Sequence, residues 1–409
     1  MNYKKKYPFL NILLNYKLWS IVVIIAVCLQ IFLFYKKEWG SINFLTGILF
    51  WSFFWWIAIS INKLFGKNQK SKKHHIINAI FLSLLILEII IRIIGIVANW
   101  AEQKHGHYMS QYGLNPYYWI DRSSDSIVEI KNMGDEFHYK YELNSHGFND
   151  REWNINKLNS KKTIIAFGDS YTEGYGTSPD STWIRNLETI VSDTNFCFLN
   201  AGILGSDIVF EYKKIINLNK TIKPQIVIVS INNSDIRDIL IRGGFERFKN
   251  DSIVEFKNNP FCEYIIASSH IARIILKLFL DETTLIPKNR IRKEEEKVLL
   301  TISSAIDSIA YFCNENKITA VFCFHPRKKE VIENTNPFAD IITKQRSNGI
   351  TIINLFEYYQ NPKIKNNIKD YYWKHDRHHN SKGYELMAKG IYEGLIEQNI
   401  LSMDTILNH

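Results

Sequence analysis

A short apolar run that ends in a serine turn constrains the fold of this chain more than any other feature. Residues 163–167 read Thr-Ile-Ile-Ala-Phe, and Gly168, Asp169 and Ser170 follow directly. A run of apolar and β-branched residues such as this one is typical of a strand buried on both faces, as in a parallel sheet. Open α/β sheets carry their reactive groups at the carboxyl ends of such strands. Ser170 is therefore a candidate nucleophile, provided that a histidine can take its proton and backbone donors can bind an oxyanion.

The chain beyond residue 150 alternates short strands with amphipathic helices, which is the pattern of a parallel sheet covered on both faces. Strands are predicted at 163–167, 196–200, 225–231, 319–324 and 350–354. Helices are predicted at 182–192, 206–217, 297–314, 338–346 and 382–397. The sequence thus predicts a three-layer α/β/α sandwich around a parallel five-stranded sheet, within a domain at 138–409.

Two segments fall outside this alternation. Residues 101–137 are aromatic and polar without a clear period, which indicates a linker. Between 239 and 296 the helical signals are broken, apart from a helix predicted at 264–280, and so long a gap between strands indicates an insertion. The sequence leaves two interpretations of this insertion open, a lid or wall beside the active site and a surface excursion without substrate contact.

The basic residues of the chain are concentrated at its amino terminus. Residues 1–75 contain 11 lysines and one glutamate, a net charge of +10, whereas the whole chain carries +9. Three apolar stretches, at 18–35, 40–62 and 76–100, are each near the ~20 residues that cross a bilayer as a helix. Lysines precede the first stretch and separate the second from the third, so the positive-inside rule assigns both of these segments to the cytoplasm. The sequence predicts a three-span membrane anchor at 1–100 with an extracytoplasmic remainder, and no nucleic-acid partner.

Two charged residues interrupt the third apolar stretch. Glu88 and Arg92 are four residues apart and therefore share one helix face. Charges within a membrane are candidates for function. Because these two can neutralise each other within one helix, a purely structural pairing is the favoured interpretation.

Cysteine usage adds little to the functional argument. Cys197 and Cys323 fall in predicted strands, while Cys262 and Cys313 could form one disulfide. Neither a metal-binding nor a redox spacing is present. The residues His325-Pro326-Arg327 at the end of the fourth predicted strand could line a pocket or simply form a turn.

Sequence blocks at the ends of the predicted strands carry a family resemblance. Residues 168–174 read Gly-Asp-Ser-x-Thr-x-Gly, residues 200–205 read Asn-Ala-Gly-Ile-Leu-Gly, and residues 376–383 read Asp-x-His-x-Asn-x-x-Gly. Together they resemble the SGNH (GDSL-type) superfamily of esterases and acyltransferases. The resemblance covers about Tyr139 to Glu397, including an Asn-x-x-Gly-Phe lead-in at 144–148 that is followed by Asn149 where arginine is usual.

The resemblance implies roles for several residues. Ser170 would be the nucleophile, and the backbone N–H groups of Ser170 and Gly205 would bind the oxyanion. Gly202 could equally be a plain turn residue. No cofactor is implied.

The third block departs from the family pattern. Residues 231–238 read Ile-Asn-Asn-Ser-Asp-Ile-Arg-Asp, where the family usually has Gly-x-Asn-Asp. Alignment on Asp235 puts Ser234 at the asparagine position, whereas a shift by one residue puts Asn233 there. Since an amide is the better fixed donor, Asn233 is the predicted third oxyanion donor and Ser234 the alternative.

The fourth block supplies an acid and a base from one loop. The base must be a neutral histidine, and a carboxylate must fix its tautomer and stabilise the imidazolium. Asp376 with His378 fits the positions of Asn380 and Gly383, while Asp376 with His379 fits the other common spacing of the family. We therefore predict a catalytic triad of Ser170, His378 and Asp376, with His379 as the alternative base.

A metal site in this histidine-rich loop is not expected. Zinc sites usually draw three or four ligands from rigid elements. His375, Asp376, His378 and His379 follow each other on one loop, and adjacent residues cannot easily all face one ion.

The function expected from this sequence is that of a membrane-anchored, extracytoplasmic serine esterase. Its expected substrates are acyl esters, in particular O-acetyl groups on a cell-envelope or exported glycan. One alternative is acyl transfer onto an exported polysaccharide by the same triad. Another is a non-catalytic envelope scaffold, for which the unusual third block is the best argument.

Overall fold

The computed structural model describes residues 21, 50–57, 59, 72–95, 127–131, 136–154, 158, 160–248, 262, 265–266, 269–281 and 284–402. Within these ranges, no helix is both long enough and apolar enough to cross a membrane. The predicted span at 18–35 lies outside the described residues except for Ile21, and only part of the span at 40–62 is described. The third overlaps helix α1, Lys72–Ile94. The prediction of three transmembrane helices therefore finds no support in the described part of the chain.

The predicted alternation of strands and helices forms. The strands are β1 Ile127–Lys131, β2 His138–Glu142, β3 Lys162–Phe167, β4 Phe196–Asn200, β5 Ile226–Ile231, β6 Thr319–Phe324 and β7 Thr351–Asn354. The helices after α1 are α2 Ser170–Glu173, α3 Trp183–Val191, α4 Ile208–Asn219, α5 Asn233–Arg242, α6 His270–Leu276, α7 Ile291–Glu315, α8 Lys328–Glu333, α9 Ala339–Ser347, α10 Leu355–Tyr359, α11 Pro362–Lys365 and α12 Ser381–Glu397. Helix α6 lies within the helix predicted at 264–280, whereas α5 and the short helices α2, α8, α10 and α11 were not predicted, and α7 begins earlier than expected.

A parallel five-stranded sheet forms the centre of the fold, as predicted. Its strand order is β4-β3-β5-β6-β7, with every neighbouring pair parallel. The chain leaves β3 toward one side for β4 and then crosses to the other side for β5. The carboxyl ends of these three strands therefore meet at a topological switch point, which is where open α/β sheets bind their ligands.

The sheet is buried on both faces because nearly every side chain of its central strands is apolar. On one face Ile164, Ala166 and Ile228 belong to the same core cluster as Trp183 of α3 and Met387 of α12. The alternate residues are also fully buried and face the other way, because successive strand residues point to opposite faces. Thr182 caps α3 by accepting a hydrogen bond from the Arg185 backbone N–H. Helices α3 and α12 thus cover one side of the sheet.

A two-stranded antiparallel hairpin precedes the sheet, and its first strand corrects the predicted linker. Strand β1 lies within residues 101–137 and pairs along its whole length with β2. The hairpin forms because Ile130 and Tyr141 can be buried together with Phe137 and Leu143. The partly buried Trp373, from the loop before α12, packs against this cluster.

The chain divides into two compact units. One comprises residues 1–114 and 258–291, and the other comprises residues 115–257 and 292–409. The first part of the predicted insertion thus belongs to the sheet unit, and α5 continues through residues 239–242. The central part, with α6, belongs to the unit that contains α1. Both interpretations of the insertion, a wall beside the active site and a surface excursion, stay predictions.

Of two pairings that the sequence suggests, one forms in the structure and the other does not. Arg92 Nε lies 2.8 Å from Glu88 Oε1, so the predicted pairing within α1 forms. The possible disulfide between Cys262 and Cys313 does not form, because Cys313 is a buried free thiol on α7.

We expect Gly202→Ala to destabilise the sheet unit more than an ordinary glycine substitution. An added Cβ would lie 2.2 Å from the Glu173 backbone nitrogen and 2.5 Å from the Thr172 carbonyl carbon, both of which are fixed in α2. Overpacking of this kind costs about 3 kcal/mol. Gly349→Ala is the matched control, because its Cβ would meet no atom within 4 Å and only its positive φ of 78° costs about 1 kcal/mol. Thermal unfolding of the full chain should separate the two variants, and equal losses would contradict this packing role for Gly202.

Candidate active site

The serine block lies at the switch point of the sheet. Ser170 is the first residue of α2, which begins immediately after β3 and Gly168-Asp169. Asp169 caps this helix by accepting a hydrogen bond from the Tyr171 backbone N–H at 2.9 Å. The cap fixes the backbone at Ser170, which is buried.

Three of the predicted site residues form one hydrogen-bonded chain. Ser170 Oγ lies 2.7 Å from His378 Nε2, and His378 Nδ1 lies 2.6 Å from Asp376 Oδ1. The same Asp376 oxygen also accepts the His378 backbone N–H at 2.9 Å, which fixes the carboxylate relative to the ring. Burial opposes ionisation of Asp376, but the hydrogen bonds from His378 outweigh it and hold the pKa of Asp376 below its usual range.

A glutamate that the sequence did not single out holds the loop that carries this acid and base. The Glu136 carboxylate accepts the backbone N–H groups of Lys374, His375 and Asp376 at 2.7 to 3.0 Å. These contacts order the backbone immediately before His378. Glu136 lies two residues before β2 and 238 residues before Lys374 of the loop that it binds, so no local pattern could have indicated this contact.

His379, the alternative base, points away from the serine. It is fully buried, with its ring centroid 4.2 Å from that of Tyr372. Its Nε2 lies 3.3 Å from Tyr359 Oη and its Nδ1 lies 3.3 Å from the Tyr371 carbonyl oxygen. Burial lowers the pKa of His379 well below its usual value. His379 is therefore a packed, neutral core residue.

The second block presents Gly205 beside α2. Gly205 has a positive φ of 75°, and its carbonyl oxygen accepts a hydrogen bond from the Arg242 guanidinium. Across the described ranges, no group accepts a hydrogen bond from the backbone N–H of Ser170 or of Gly205. Both predicted backbone donors are thus available to a ligand.

A buried carboxylate ties the second block to the serine helix. Glu173, the last residue of α2, accepts the backbone N–H of Leu204 and, at 2.5 Å, the Tyr141 hydroxyl. Leu204 is the residue directly before Gly205, so this contact fixes the peptide plane that precedes the one carrying the Gly205 N–H. The only sequence signal would have been a glutamate three residues after the serine, which alone indicates nothing.

Two side chains of the third block bind Asp169, and a third binds Glu330. Asn232 Nδ2 donates to Asp169 Oδ2 at 3.0 Å, and Ser234 Oγ donates to the same oxygen at 2.6 Å. Asn233 Nδ2 donates to Glu330 Oε1 at 2.7 Å. The contact with Asp169 occupies Ser234, the alternative oxyanion donor. Donation from Asn233 to an oxyanion, through its second amide hydrogen, stays a prediction.

Comparisons with known proteins give matches among solved structures only. No protein-family model and no curated protein sequence matches the chain. The chain is similar to a member of the lipolytic protein G-D-S-L family from Veillonella parvula DSM 2008, at 16% identity over 56% of this chain and 96% of that one, with a TM-score of 0.34. It is also similar to the psychrotrophic esterase EstA from a Pseudoalteromonas species, at 10% identity over 59% and 100%, with a TM-score of 0.36. A third is the acetyl xylan esterase AlAXEase, at 16% identity over 57% and 100%, with a TM-score of 0.35.

A third histidine, close to Ser170 and His378, has a ring that makes no hydrogen bond within the described residues. His325 directly follows β6, is fully buried, and neither of its ring nitrogens has a partner within the described residues. Its ring lies 4.8 Å from that of Tyr171, centroid to centroid. Burial lowers the pKa of His325 to about 4. The motif His325-Pro326-Arg327 thus places an uncharged imidazole in the core.

We expect this histidine to make the fold sensitive to acid. Because its pKa in the folded state lies below the value of about 6.5 for an exposed histidine, the unfolded chain binds more protons between pH 6.5 and 4. The contribution of His325 to the free energy of unfolding is therefore fully present above pH 6.5. It falls by up to about 3 kcal/mol as the pH drops from 6.5 through 4. His325→Leu should remove this loss, so that its unfolding temperature exceeds that of the wild type at pH 4.5.

The measurement compares unfolding temperatures at pH 7.5 and pH 4.5. His138→Leu is the control, because the His138 ring is half exposed on β2. It should retain the pH dependence of the wild type. A His325→Leu chain that loses as much stability in acid as the wild type would exclude His325 as the source.

Proposed function

We propose that this protein is a serine ester hydrolase of the SGNH type. The single observation that carries the proposal is the hydrogen-bonded chain from Ser170 Oγ through the His378 ring to Asp376. A serine, a histidine and an acid linked in this way form the constellation that activates a hydroxyl for acyl transfer. Its location at the carboxyl ends of parallel strands, and the match to the serine and histidine blocks of the family, support the same assignment.

The proposed reaction begins with attack by Ser170 Oγ on the ester carbonyl carbon. As the new C–O bond forms, the Ser170 proton passes to His378 Nε2 and the carbonyl electrons move onto the oxygen. The C–O bond to the alcohol then breaks, and His378 gives its proton to the leaving oxygen. Water attacks the acyl-serine with His378 again as base, and the carboxylic acid leaves as Ser170 regains its proton.

The oxyanion of both tetrahedral intermediates would accept hydrogen bonds from the Ser170 and Gly205 N–H groups and from the Asn233 amide. Removing one such donor typically lowers kcat by about 10²–10³. The contacts of Glu173 with Leu204 and of Arg242 with the Gly205 carbonyl support this arrangement, because they fix the peptide planes on both sides of the donor. A fixed donor stabilises developing charge without reorganisation.

The proposed substrate is an acyl ester, in particular an O-acetyl group on a cell-envelope or exported glycan. The family resemblance and the proposed location outside the cytoplasm are its support. The location rests on the concentration of lysines in residues 1–75, which the positive-inside rule assigns to the cytoplasmic side of a membrane. We infer that residues 1–100 attach the catalytic unit to the membrane.

Labelling with a fluorophosphonate tests the proposed nucleophile. The full chain should form one covalent adduct, read by intact mass, and peptide mapping should locate it at Ser170. Ser170→Ala should abolish the adduct, whereas the control Ser178→Ala, in the exposed loop before α3, should retain it. A folded chain that forms no adduct would overturn the hydrolase proposal in favour of a scaffold.

A second measurement distinguishes hydrolysis from transfer. The rate at which a model acetyl ester is consumed should be the same with and without an added glycan, and acetate should account for the product. If acetylated glycan forms instead, the acceptor is an alcohol rather than water. The triad proposal would then hold while the assignment as a hydrolase would fail.

A further inference from the structure

Helix α1 exposes an unusually apolar surface. Nine of its large apolar side chains are exposed, among them Ile80, Leu87 and Ile93. The opposite side of the helix packs through Leu85 on Trp51 and on Ile271 of α6. So many exposed apolar side chains on one helix mark a surface that contacts something other than water.

The interior of the same unit is charged. The Glu88 side chain is 0% exposed and the Arg92 side chain 2%, although both lie on α1 among the exposed isoleucines. Besides Arg92, Glu88 accepts hydrogen bonds from Trp51 Nε1 at 3.2 Å and Ser269 Oγ at 2.8 Å. In the unit that contains α1, the ion pair is therefore buried and the aliphatic side chains of α1 are exposed.

The insertion shares this inverted arrangement. Glu88 accepts the backbone N–H groups of His270 at 2.9 Å and Ile271 at 3.1 Å, so the start of α6 is bound directly to α1. The Glu88 anchor is this set of contacts between the Glu88 carboxylate and residues 269–271. Beyond it, four large apolar residues are exposed, namely Ile274, Ile275, Leu278 and Phe279. The polar end of the segment is thus buried and its apolar end is exposed.

Charged groups within a protein core next to an aliphatic outer surface are the pattern of a protein in hydrocarbon, where ionisable residues face the interior and pair with one another. In water, glutamate and arginine are buried only when they are paired, and a paired core is not surrounded by so many exposed aliphatic side chains. Lysines at positions 67, 70, 72 and 73 lie just before and at the start of α1, where they suit the anionic headgroups of a lipid surface. The occupant that fits both features is a lipid bilayer.

We propose that the insertion is itself a membrane-contacting element, with residues 274–279 in the lipid beside α1 and the Glu88 anchor holding them there. The proposal extends the membrane attachment proposed above to a segment that lies between β5 and β6 of the catalytic fold. It does not depend on the ester chemistry. The insertion then attaches the catalytic unit to the membrane in addition to the attachment through the chain that enters this unit after residue 114.

Spin labels on the full chain in nanodiscs of phosphatidylcholine and phosphatidylglycerol test this proposal. Leu278→Cys and its control Leu300→Cys on α7 are equally exposed, at 68% each. Both are made in a chain whose Cys28, Cys197 and Cys262 are replaced by alanine. The ratio of collisions with oxygen to collisions with an anionic chromium oxalate complex should be at least about tenfold higher at residue 278 than at residue 300, because hydrocarbon excludes the charged complex.

Each other outcome overturns the proposal. Equal, water-like ratios at both positions would mean that the insertion is solvated. Few collisions with either reagent at residue 278 would mean that protein covers the segment, as in contact with a second copy of this chain. The fluorophosphonate adduct of the same samples shows independently whether the catalytic unit is folded and reactive, so that failure here and failure of the hydrolase proposal remain distinguishable.

Discussion

His378→Gln is expected to lower kcat for ester hydrolysis by at least about 10⁴-fold, with little change in KM. The variant loses the nitrogen that lies 2.7 Å from Ser170 Oγ, so the serine hydroxyl has no base to accept its proton. The same substitution at the next residue provides a matched control. His379→Gln should leave kcat of the folded protein within about tenfold of the wild type. It should instead lower the unfolding temperature, because the His379 ring packs against four tyrosines.

Both quantities should be measured on both variants. Steady-state kinetics on a small acetyl ester give kcat and KM, and thermal unfolding reports the packing cost. An inactive but stable His379→Gln protein, together with an active His378→Gln protein, would make His379 the base and contradict the geometry of the loop. Adding Ser170→Ala to His378→Gln should cause almost no further loss, since residues that act as a unit are not additive.

The choice between these two histidines illustrates what the sequence could not decide. Both spacings from Asp376 occur in the family that the chain resembles, so the pattern alone fits either. In the structure, Tyr372 forms an isolated antiparallel bridge with His379, and the Trp373 backbone N–H donates to the His378 carbonyl. Successive residues of an extended segment point to opposite sides. The bridge therefore directs His379 into the core and His378 toward Ser170.

The sheet, by contrast, was predictable almost completely. Each of its five strands is a short apolar run whose period and flanking polar residues are encoded locally, and the ends of β4 and β6 match the prediction residue for residue. The serine and histidine blocks directly follow or precede regular elements, so their position at the carboxyl edge followed from the fold class.

What escaped prediction depends on contacts between residues far apart in sequence. Glu136 binds the backbone of residues 374–376, and Glu173 binds the Leu204 N–H. Ser234 is the alternative oxyanion donor of the sequence pattern, yet its side chain binds Asp169, as does that of Asn232. A carboxylate that accepts backbone N–H groups leaves no periodic trace, because any acidic residue at the right point in space could do the same. The hairpin strand β1 was missed for a related reason, since its partner β2 supplies the pairing.

Asp376→Asn should lower kcat at neutral pH by about 10⁴-fold while the fold and the serine–histidine contact persist. The amide keeps the size of the carboxylate but can donate a hydrogen bond to His378 Nδ1, which favours the tautomer whose proton lies on Nε2. That nitrogen then cannot accept the Ser170 proton, and no charge balances an imidazolium. In the wild type, burial raises the pKa of Asp376, but the hydrogen bonds from His378 outweigh it and lower this pKa, so the carboxylate stays ionised to a lower pH than that of an ordinary aspartate.

Protonation of Asp376 should therefore contribute to the loss of wild-type activity only at a lower pH than protonation of an ordinary aspartate would. Asp370→Asn, in the exposed turn just before this loop, changes the net charge equally and should retain wild-type kcat. Profiles of kcat/KM against pH for the three proteins test this account. An Asp376→Asn enzyme with near wild-type activity would show that the carboxylate positions the loop through the His378 backbone N–H but contributes nothing to the chemistry at the ring, and the chain would then work as a serine–histidine dyad.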